Sequence, residues 1–490
     1  MIGGFMTRIQ TLAGACVFAL TGAACQAQPS GDEPVSAIIG ATLIDGTGAA
    51  AIENGVILVE GDRIGCIGTA QDCPLPAGAV SIDLTGHYIT PGLVDAHVHF
   101  AQTGWLDGRP DAFEVRDVYA YSDVVAELRS NPDRWHRAWL CSGITAVFDV
   151  GGADWTVTGE QSVDTARSDR AHVRAAGPLI THAGRNQAFM TGGAADQPLF
   201  LDMQSIEDVE ADVARLVEIG ADAVKVWYLA PREQDRERLD AVLMATGAAA
   251  REAGLPMIVH ATSLREAKMA LRAGAFMLVH SVSDQPVDAE FLDLLTESDA
   301  VYAPTLVVGN NWTRALASVV FEAAAPVDDP NGCVDDALLD RINHPERMTP
   351  GLPGRLNANW AYPALERGGA EMVIMQDNLM AVHAAGGRIA TATDSGNPLT
   401  VHGASILWEM EAMQAAGLDP EAIITLSTRN GAQAMDGADE FGTLQAGLMA
   451  DLVVLAEDPR ADIAHYRSLT HVMRAGVLHS QAELRVRPAE

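Results

Sequence analysis

The stretch VDAHVHF, residues 94–100, carries two histidines and an aspartate inside an apolar run. Because side chains alternate between the two faces of a β-strand, Asp95, His97 and His99 share one face of the strand that this run predicts. Imidazoles on a buried face are costly unless a partner compensates them. The stretch therefore raises the question of which other residues complete a site with these two histidines.

Seven further apolar runs follow, and amphipathic helical patterns separate several of them. The runs are ITAVFDV (144–150), VRAAGPLI (173–180), AVKVWYL (223–229), PMIVHAT (256–262), FMLVHSV (276–282), VYAPTLV (301–307) and RIATATD (388–394). One helical segment has Ser205 as its N-cap, acids in its first turn and Gly220 at its end. Eight β units that alternate with helices predict an α/β protein with a (β/α)₈ TIM barrel.

The two ends of the chain have a different pattern, with short strands punctuated by Gly, Asp and Asn. We expect residues 35–90 and 440–485 to form one small β-sandwich domain, with the barrel, residues 91–439, inserted between them. Residues 307–365 show no clear strand and are rich in Asn, Pro and Asp. This segment is interpreted as a long insertion over the barrel mouth and as a candidate lid.

Composition excludes some classes of partner. The chain has 490 residues, 48% of them hydrophobic, and a formal net charge of −33. The hydrophobic content is typical of a globular protein. So acidic a surface repels nucleic acid phosphates and anionic lipid head groups, which excludes nucleic acid as an expected partner.

Residues 1–25 predict an export signal, with Arg8 before an apolar segment. Cys25 follows TGAA, a degenerate lipobox, so a lipid anchor at Cys25 and ordinary signal cleavage both stay open; an N-terminal cytosolic helix is the remaining alternative. We expect a periplasmic protein or a lipoprotein of the outer membrane. In that oxidising compartment Cys66 and Cys73, which flank a short loop, could form a local disulfide, whereas the pairing of Cys141 and Cys333 stays open.

Six ionisable residues lie in or at the ends of the predicted barrel strands, where the active sites of such barrels form. Unpaired, they would be costly to bury, and divalent metal ions would compensate them. Imidazole and carboxylate suit Zn²⁺ and similar ions. The six residues are His97, His99, Lys225, His260, His280 and Asp394.

These motifs, in this order, resemble the amidohydrolase superfamily. The resemblance rests on PGLVDAHVHF, VKVW, VHA, VHS, TATDSG and the tail GTLQAGLMADLVVLAEDPRADI, and spans residues 36–480. Within the superfamily the chain is similar to the imidazolonepropionase-related group that includes prolidase-like and ochratoxin-hydrolase-like metallo-carboxypeptidases and dipeptidases.

The resemblance implies a centre of two divalent ions, expected to be Zn²⁺. His97, His99 and Asp394 would hold the more buried ion, and His260 and His280 the more exposed one. A carbamylated Lys225 would bridge the two ions together with a hydroxide. The hydroxide would attack the scissile carbonyl, and Asp394 would be the catalytic residue that carries its proton to the leaving nitrogen.

Four further residues are candidate substrate contacts. Tyr228 could donate to a substrate carboxylate or oxyanion, with packing at the barrel rim as the alternative. His402 could contact substrate or Asp394, with a helix-capping role as the alternative. His182 and Arg185 could bind an anionic group.

The expected function is an exported binuclear hydrolase of an amide or peptide C–N bond, with a dipeptide or an N-acyl amino acid as its small-molecule substrate, and assembled as a homo-oligomer. Alternatives are a mononuclear deaminase, a lactonase or a phosphoesterase of the same superfamily. A non-catalytic surface binding protein that kept the fold is the alternative from another class.

Overall fold

The structure, a computed structural model, describes residues 35–108, 115–131, 133–163, 166–182 and 199–487. The predicted signal peptide, Cys25 and Arg185 lie outside the described residues. Residues 34–490 form one compact unit by their internal contacts. Within the described ranges, every helix is too short or too polar to cross a membrane.

The described strands fall into a terminal group and a central group. The terminal strands are β1 (Ser36–Leu43), β2 (Ile52–Glu60), β3 (Arg63–Gly68), β4 (Val80–Asp83), β5 (Tyr88–Pro91), β16 (Leu452–Leu455), β17 (Leu469–Arg474) and β18 (Val477–Ser480). The central strands are β6 (Leu93–Val98), β7 (Ile144–Asp149), β8 (His172–Ala175), β9 (Leu179–Thr181), β10 (Phe200–Asp202), β11 (Val224–Trp227), β12 (Met257–His260), β13 (Met277–Val279), β14 (Val301–Ala303) and β15 (Arg388–Ile389).

The described α-helices are α1 (Tyr121–Ser130), α2 (Arg134–Cys141), α3 (Trp155–Thr158), α4 (Ile206–Ile219), α5 (Arg236–Glu252), α6 (Leu264–Arg272), α7 (Ala289–Ser298), α8 (Leu306–Phe321), α9 (Asp336–Asn343), α10 (Ala358–Ala384), α11 (Ser405–Ala416), α12 (Pro420–Leu426), α13 (Arg429–Ala434) and α14 (Gln481–Leu484). Short 3₁₀ turns cover Leu106–Gly108, Glu160–Ser162, Glu233–Asp235, Pro345–Gly351 and Ile463–Ser468.

Both ends of the chain pair in one eight-stranded sheet. Its order is β18-β17-β16-β5-β1-β2-β3, and β4 pairs with β1. The join between the two ends is the antiparallel pair of β5 and β16, with Ile89 opposite Val454. Residues of both ends, such as Ile57 and Leu452, share one buried apolar cluster. A sandwich of two layers stays a prediction, because hydrogen bonds connect all these strands in a single sheet.

The central strands form a TIM-barrel-like arrangement. Seven lie in one parallel sheet of order β10-β9-β11-β12-β13-β14-β15, and three in a second of order β6-β7-β8. Continuous ladders do not close the barrel among the described strands, but backbone hydrogen bonds cross both of its gaps. The amide of Asp394 donates to His97 O at 2.8 Å, and that of Asp222 to Ala175 O at 2.8 Å.

The third predicted strand, VRAAGPLI, is divided in two. Gly177 has a φ of 69° and precedes Pro178, which lacks an amide hydrogen, so the ladder breaks between β8 and β9. β8 then pairs with β7, and β9 pairs with β11. Strand β10, which the sequence pattern did not predict, pairs with β9.

The predicted insertion is helical and firmly attached. It consists mainly of α8, α9 and the start of α10. The disulfide Cys141–Cys333 joins it to α2, and Arg134 of α2 forms a forked ion pair with Asp335 at 3.0 Å. A covalent bond and an ion pair therefore join the insertion to α2. The second disulfide is Cys66–Cys73, the local pair that the sequence allowed.

Candidate metal centre

His97 lies in β6 and His99 directly follows this strand. Hydrogen bonds of Asp95 hold the strand in position. The Asp95 carboxylate accepts the amide of Thr393 at 3.0 Å, the hydroxyl of Thr393 at 2.6 Å and the amide of His97 at 3.2 Å. Burial raises the pKa of Asp95 to about 7. This carboxylate therefore ties the histidine-bearing strand to the segment that carries Asp394.

Three potential ligand atoms converge at the end of β6. Asp394 Oδ1 lies 3.2 Å from His97 Nε2 and 2.9 Å from His99 Nε2, and the two Nε2 atoms are 3.2 Å apart. His99 Nδ1 lies 2.7 Å from the carbonyl oxygen of Gly151. A carbonyl only accepts, so Nδ1 carries the proton of a neutral His99, and the lone pair of Nε2 faces Asp394.

His260 and His280 stand beside this trio. Their ring centroids are 4.3 Å apart, and His280 Nε2 lies 3.9 Å from Asp394 Oδ2. Ligand atoms of His97, His280 and Asp394 all lie within 4.8 Å of one another. His280 Nδ1 is 2.8 Å from the hydroxyl of Thr305, which orients the ring so that Nε2 faces the other ligands.

Lys225 is buried in β11 beside these side chains, with 3% of its surface exposed. Burial lowers the pKa of its amine to about 7, and the carboxylates of Asp394 and Asp149 oppose that shift only in part. With this pKa, part of the Lys225 population is neutral at pH 7, and the neutral amine is the form that reacts as a nucleophile or takes up CO₂.

Burial and the neighbouring basic side chains shift the pKa of Asp394 in opposite directions. Burial raises the pKa of its carboxyl, but His99, His280 and Lys225 outweigh this, and the net pKa is lowered. Burial, together with Lys225 and the neighbouring histidines, holds the pKa of His97 well below its ordinary value. The lowered pKa values thus favour an ionised Asp394 and neutral imidazoles at His97 and His280, which are the protonation states that bind metal.

The backbone is strained at two of these residues. Asp394 has a φ of 62° and His280 a φ of 76°, and Thr305, which bonds to His280, has a φ of 45°. Non-glycine residues enter this left-handed region at a cost, and such conformations cluster at functional sites.

These side chains fit a metal ion. Two acceptor atoms that face each other at 2.9–3.2 Å repel unless a cation or a proton lies between them. Ligands held about 2.1 Å from one Zn²⁺ ion are themselves roughly 3.0–3.4 Å apart, close to the separations observed. Imidazole nitrogen with carboxylate oxygen is a donor set that suits zinc and related ions.

All six predicted metal-binding residues line one cavity of about 340 Å³. Trp227 and Phe200 form part of its wall on the barrel side, and Val308, Trp312 and Met375 form part of it on the side of the helical insertion. The cavity is large enough for a small molecule and mostly apolar around a polar centre.

Tyr228 is not part of the described lining of this cavity, and the structure does not support its predicted substrate contact. Its hydroxyl donates to Asp240 of α5. The reason is the period of two in a strand: Lys225 and Trp227 face the cavity, which turns Tyr228 to the opposite side. The packing role, which was the alternative, describes its contacts.

The other candidate substrate contacts are also held elsewhere. His402 is fully buried between the carbonyl of Gln102 at 3.1 Å and the hydroxyl of Ser395 at 3.2 Å, and stacks on Trp135. It therefore supports the segment after Asp394 without touching Asp394 or lining the cavity. His182 lies 2.8 Å from the carbonyl of Leu229 and is not part of the described lining. Arg185 lies outside the described residues.

The sequence analysis missed residues that come from the insertion and from the part of α10 that follows it. The indole of Trp312 donates to Asn397 Oδ1 at 2.9 Å, and the amide group of Asn397 donates to the carbonyl of Asp394 at 3.1 Å. Glu371 of α10 also lines the cavity. Nothing in the local sequence indicated these roles, because they depend on how two distant helices lie over the barrel.

Comparisons with known proteins agree with this geometry. The chain matches the amidohydrolase family over residues 88–297 and 371–478, which is more than half of its length. An imidazolonepropionase of Rhizorhabdus wittichii is 28% identical over 259 residues, which are 48% of this chain and 61% of that protein, so the match spans less than two thirds of that relative. An imidazolonepropionase of Agrobacterium fabrum is 26% identical over 456 residues, covering 86% of this chain and 88% of that protein.

Solved structures share the fold. A Xaa-Pro dipeptidase with bound methionine superposes with a TM-score of 0.65 at 21% identity, covering 91% of this chain and 100% of that one. An ochratoxinase of A. niger gives a TM-score of 0.66 at 18% identity, covering 91% and 95%. Family match and fold together lead to one conclusion: the chain belongs to the amidohydrolase family, whose members are generally metal-dependent.

Proposed function

We propose that this protein is a binuclear metal-dependent hydrolase of an amide or peptide bond in a small molecule. One observation carries the proposal: four histidines, an aspartate and a buried lysine, from different strands, line one cavity. A single ion would need His97, His99 and Asp394 with one further ligand. Lys225 and either His260 or His280 would then line the cavity without contacting the ion.

His97, His99 and Asp394 would hold one ion, and His260 and His280 the other. The neutral amine of Lys225 would take up CO₂, forming an N–C bond and releasing one proton, and the two carbamate oxygens would bridge the sites. Two divalent ions, when bound, supply a water activated for attack and polarise the scissile carbonyl.

Asp394 would move the proton. Its carboxylate would accept a proton from the attacking water and deliver it to the leaving nitrogen, so that an amine departs and a carboxylate forms. Its lowered pKa keeps it ionised before attack. Thr305 and Gly151 would keep the imidazoles of His280 and His99 in orientation during the reaction.

A dipeptide or an N-acyl amino acid is the proposed kind of substrate. Support comes from the cavity of about 340 Å³, which suits a small molecule and excludes a folded protein. The similar structures named as a Xaa-Pro dipeptidase and an ochratoxinase favour a linear amide, whereas the imidazolonepropionase relatives favour a cyclic one.

The test is metal content together with activity on a dipeptide library. We expect two ions per chain, loss of activity with chelator and recovery with Zn²⁺. Lys225→Ala should lose at least ~10³-fold in activity and should bind fewer ions, because it removes the bridge. Lys268→Ala is the matched control, since that lysine is paired at the surface with Asp288 at 2.6 Å. Full activity of Lys225→Ala without metal contradicts the proposal.

A mononuclear deaminase is the second candidate. A 5-methylthioadenosine/S-adenosylhomocysteine deaminase of Symbiobacterium thermophilum is 36% identical over 121 residues, which are 23% of this chain and 28% of that protein. One ion per chain, retained in Lys225→Ala, together with ammonia release from an amino-substituted ring would favour it.

Export remains part of the proposal. Support comes from the disulfides Cys66–Cys73 and Cys141–Cys333, since such bonds persist in oxidising compartments. Fractionation and intact mass of the mature protein test it: lipid attached at Cys25, or a soluble periplasmic form, supports export, whereas an unprocessed cytosolic chain contradicts it.

A further inference from the structure

Glu371 places a carboxylate in the wall of the cavity. Gly368, Glu371 and Met375 occupy successive turns on one face of α10, and all three line the cavity. Residues spaced by three and four positions share a helix face, so Glu371 lies between a glycine and an apolar side chain, at the solvent-exposed edge of the cavity.

The carboxylate of Glu371 has no counter-ion among the described residues. Arg367, one turn earlier on the same helix, does not line the cavity, and no described lysine, arginine or histidine comes within 4.0 Å of Glu371 as an ion pair. Apart from the six metal-binding positions, Glu371 is the one charged side chain in the described lining, and no arginine is part of it.

Aromatic rings complete this environment. Trp312 and Trp227 line the same cavity. The indole N–H of Trp312 donates to Asn397 Oδ1 at 2.9 Å, which orients the ring of Trp312 in the cavity wall. An indole face attracts a cation, and the chain's net charge of −33 adds a favourable field for cationic molecules.

We propose that Glu371 is a specificity-determining residue that selects substrates with a cationic group, such as an ammonium, on the part that lies against α8 and α10. The inference rests on the proposed function and narrows it, because it favours a dipeptide with a free amino terminus, or another cationic amide, over an N-acyl amino acid, which is anionic. Glu371 binds and orients the substrate and takes no part in proton transfer.

Turnover by the metal-loaded enzyme gives the first test. The probes are Leu-Leu-amide, whose α-amino group is mostly protonated at pH 7, its neutral N-acetyl derivative and its anionic N-succinyl derivative. We expect kcat/KM to fall at least ~10-fold from the ammonium to the acetyl probe and further for the succinyl probe. In Glu371→Gln the three probes should have more similar kcat/KM values, and the change should come from KM more than from kcat. Glu366→Gln removes an exposed charge from the same helix outside the cavity, and it should keep the wild-type order of the probes.

A binding measurement separates this inference from the proposed function. Hexyltrimethylammonium cannot coordinate a metal, and calorimetry on the metal-loaded protein measures its affinity without any turnover. We expect Glu371→Gln to weaken it at least ~5-fold and Glu366→Gln to leave it unchanged. If no probe is turned over but this difference holds, the proposed reaction fails and the cation site stands.

Two results overturn the inference while leaving the reaction intact. One is equal discrimination among the three probes in wild type and Glu371→Gln. The other is a preference of the wild-type enzyme for the succinyl probe.

Discussion

At the scale of single residues, Asp95 determines how the metal-binding side chains are held. Its carboxylate accepts three hydrogen bonds and joins β6, with His97, to Thr393, which precedes Asp394. It lies one strand repeat below His97, so it supports the site from beneath without lining the cavity. Its contribution is to the position of the ligands and so to metal affinity.

Asp95→Asn should weaken metal binding by roughly 10–100-fold, because outer contacts of this kind tune ligand geometry. It should also lower the free energy of unfolding by about 1–3 kcal/mol, because an NH₂ group replaces one of the two carboxylate oxygens, and each of these oxygens accepts a hydrogen bond from Thr393. Competition with a metallochromic chelator and thermal unfolding measure the two effects. Thr393→Val, which removes one donor, is the control and should have the smaller effect on metal affinity.

At the scale of secondary structure, α8 connects the insertion to the metal centre. It follows Thr305, which contacts His280, and its first two amides donate to the buried carboxylate of Glu409 at 2.8 and 3.1 Å. Trp312, in its second turn, reaches Asp394 through Asn397. This helix is thus connected to His280 through Thr305 and to Asp394 through Asn397, and it forms part of the cavity wall.

Glu409 should make stability depend on pH. Burial raises its pKa from 4.5 to about 8. The folded protein therefore holds this proton more tightly than the unfolded chain does, so stability should fall as pH rises from about 4.5 to 8 and level off above that range. Urea unfolding between pH 5 and 8 measures the slope. In Glu409→Gln, which cannot ionise, the fall should be smaller; an unchanged slope would contradict the assignment.

Gly309→Ala on α8 should change substrate binding without lowering the stability of the protein. A Cβ at Gly309 meets nothing within 4 Å, and Gly309 lines the cavity. Alanine is the better helix former by about 1 kcal/mol, so the variant should unfold at the same or a higher temperature while KM for bulky substrates rises. Gly369→Ala of α10, which also meets nothing within 4 Å but is not part of the described lining, is the control and should leave KM unchanged.

At the scale of the whole molecule, disulfides fix the insertion and the terminal sheet to different extents. Cys141–Cys333 spans 192 positions of the chain and joins α2 to the insertion, whereas Cys66–Cys73 spans seven within the terminal sheet. In the chain-entropy model a long closed loop restricts the unfolded chain more than a short one does.

Removing the Cys141–Cys333 pair by double alanine substitution should therefore cost about 5 kcal/mol, against about 2.5 kcal/mol for the Cys66–Cys73 pair. Urea unfolding of the two double variants measures the difference. The first should also lose activity, because α8 and α10, which form part of the cavity wall, are attached to the barrel through this region. Equal losses of stability would show that native contacts, and not loop length, dominate.

The sequence by itself determined the order of the strands and the residues at their ends. VDAHVHF predicted a buried strand with His97 and His99 on one face, and the later runs placed Lys225, His260, His280 and Asp394 at or near strand ends. This information is local, since a period of two and an apolar run suffice to read it. The same rule, applied to Lys225, would have turned Tyr228 away from the cavity.

Only the tertiary structure decided what surrounds those ends. The pairing of Cys141 with Cys333 and the places of Trp312 and Glu371 in the cavity depend on contacts between segments tens to hundreds of residues apart. Local patterns do not encode such contacts, because the orientation of a helix over the barrel follows from packing against the whole molecule. The sequence therefore predicted six residues that share the cavity, whereas the residues that complete its wall depend on the fold.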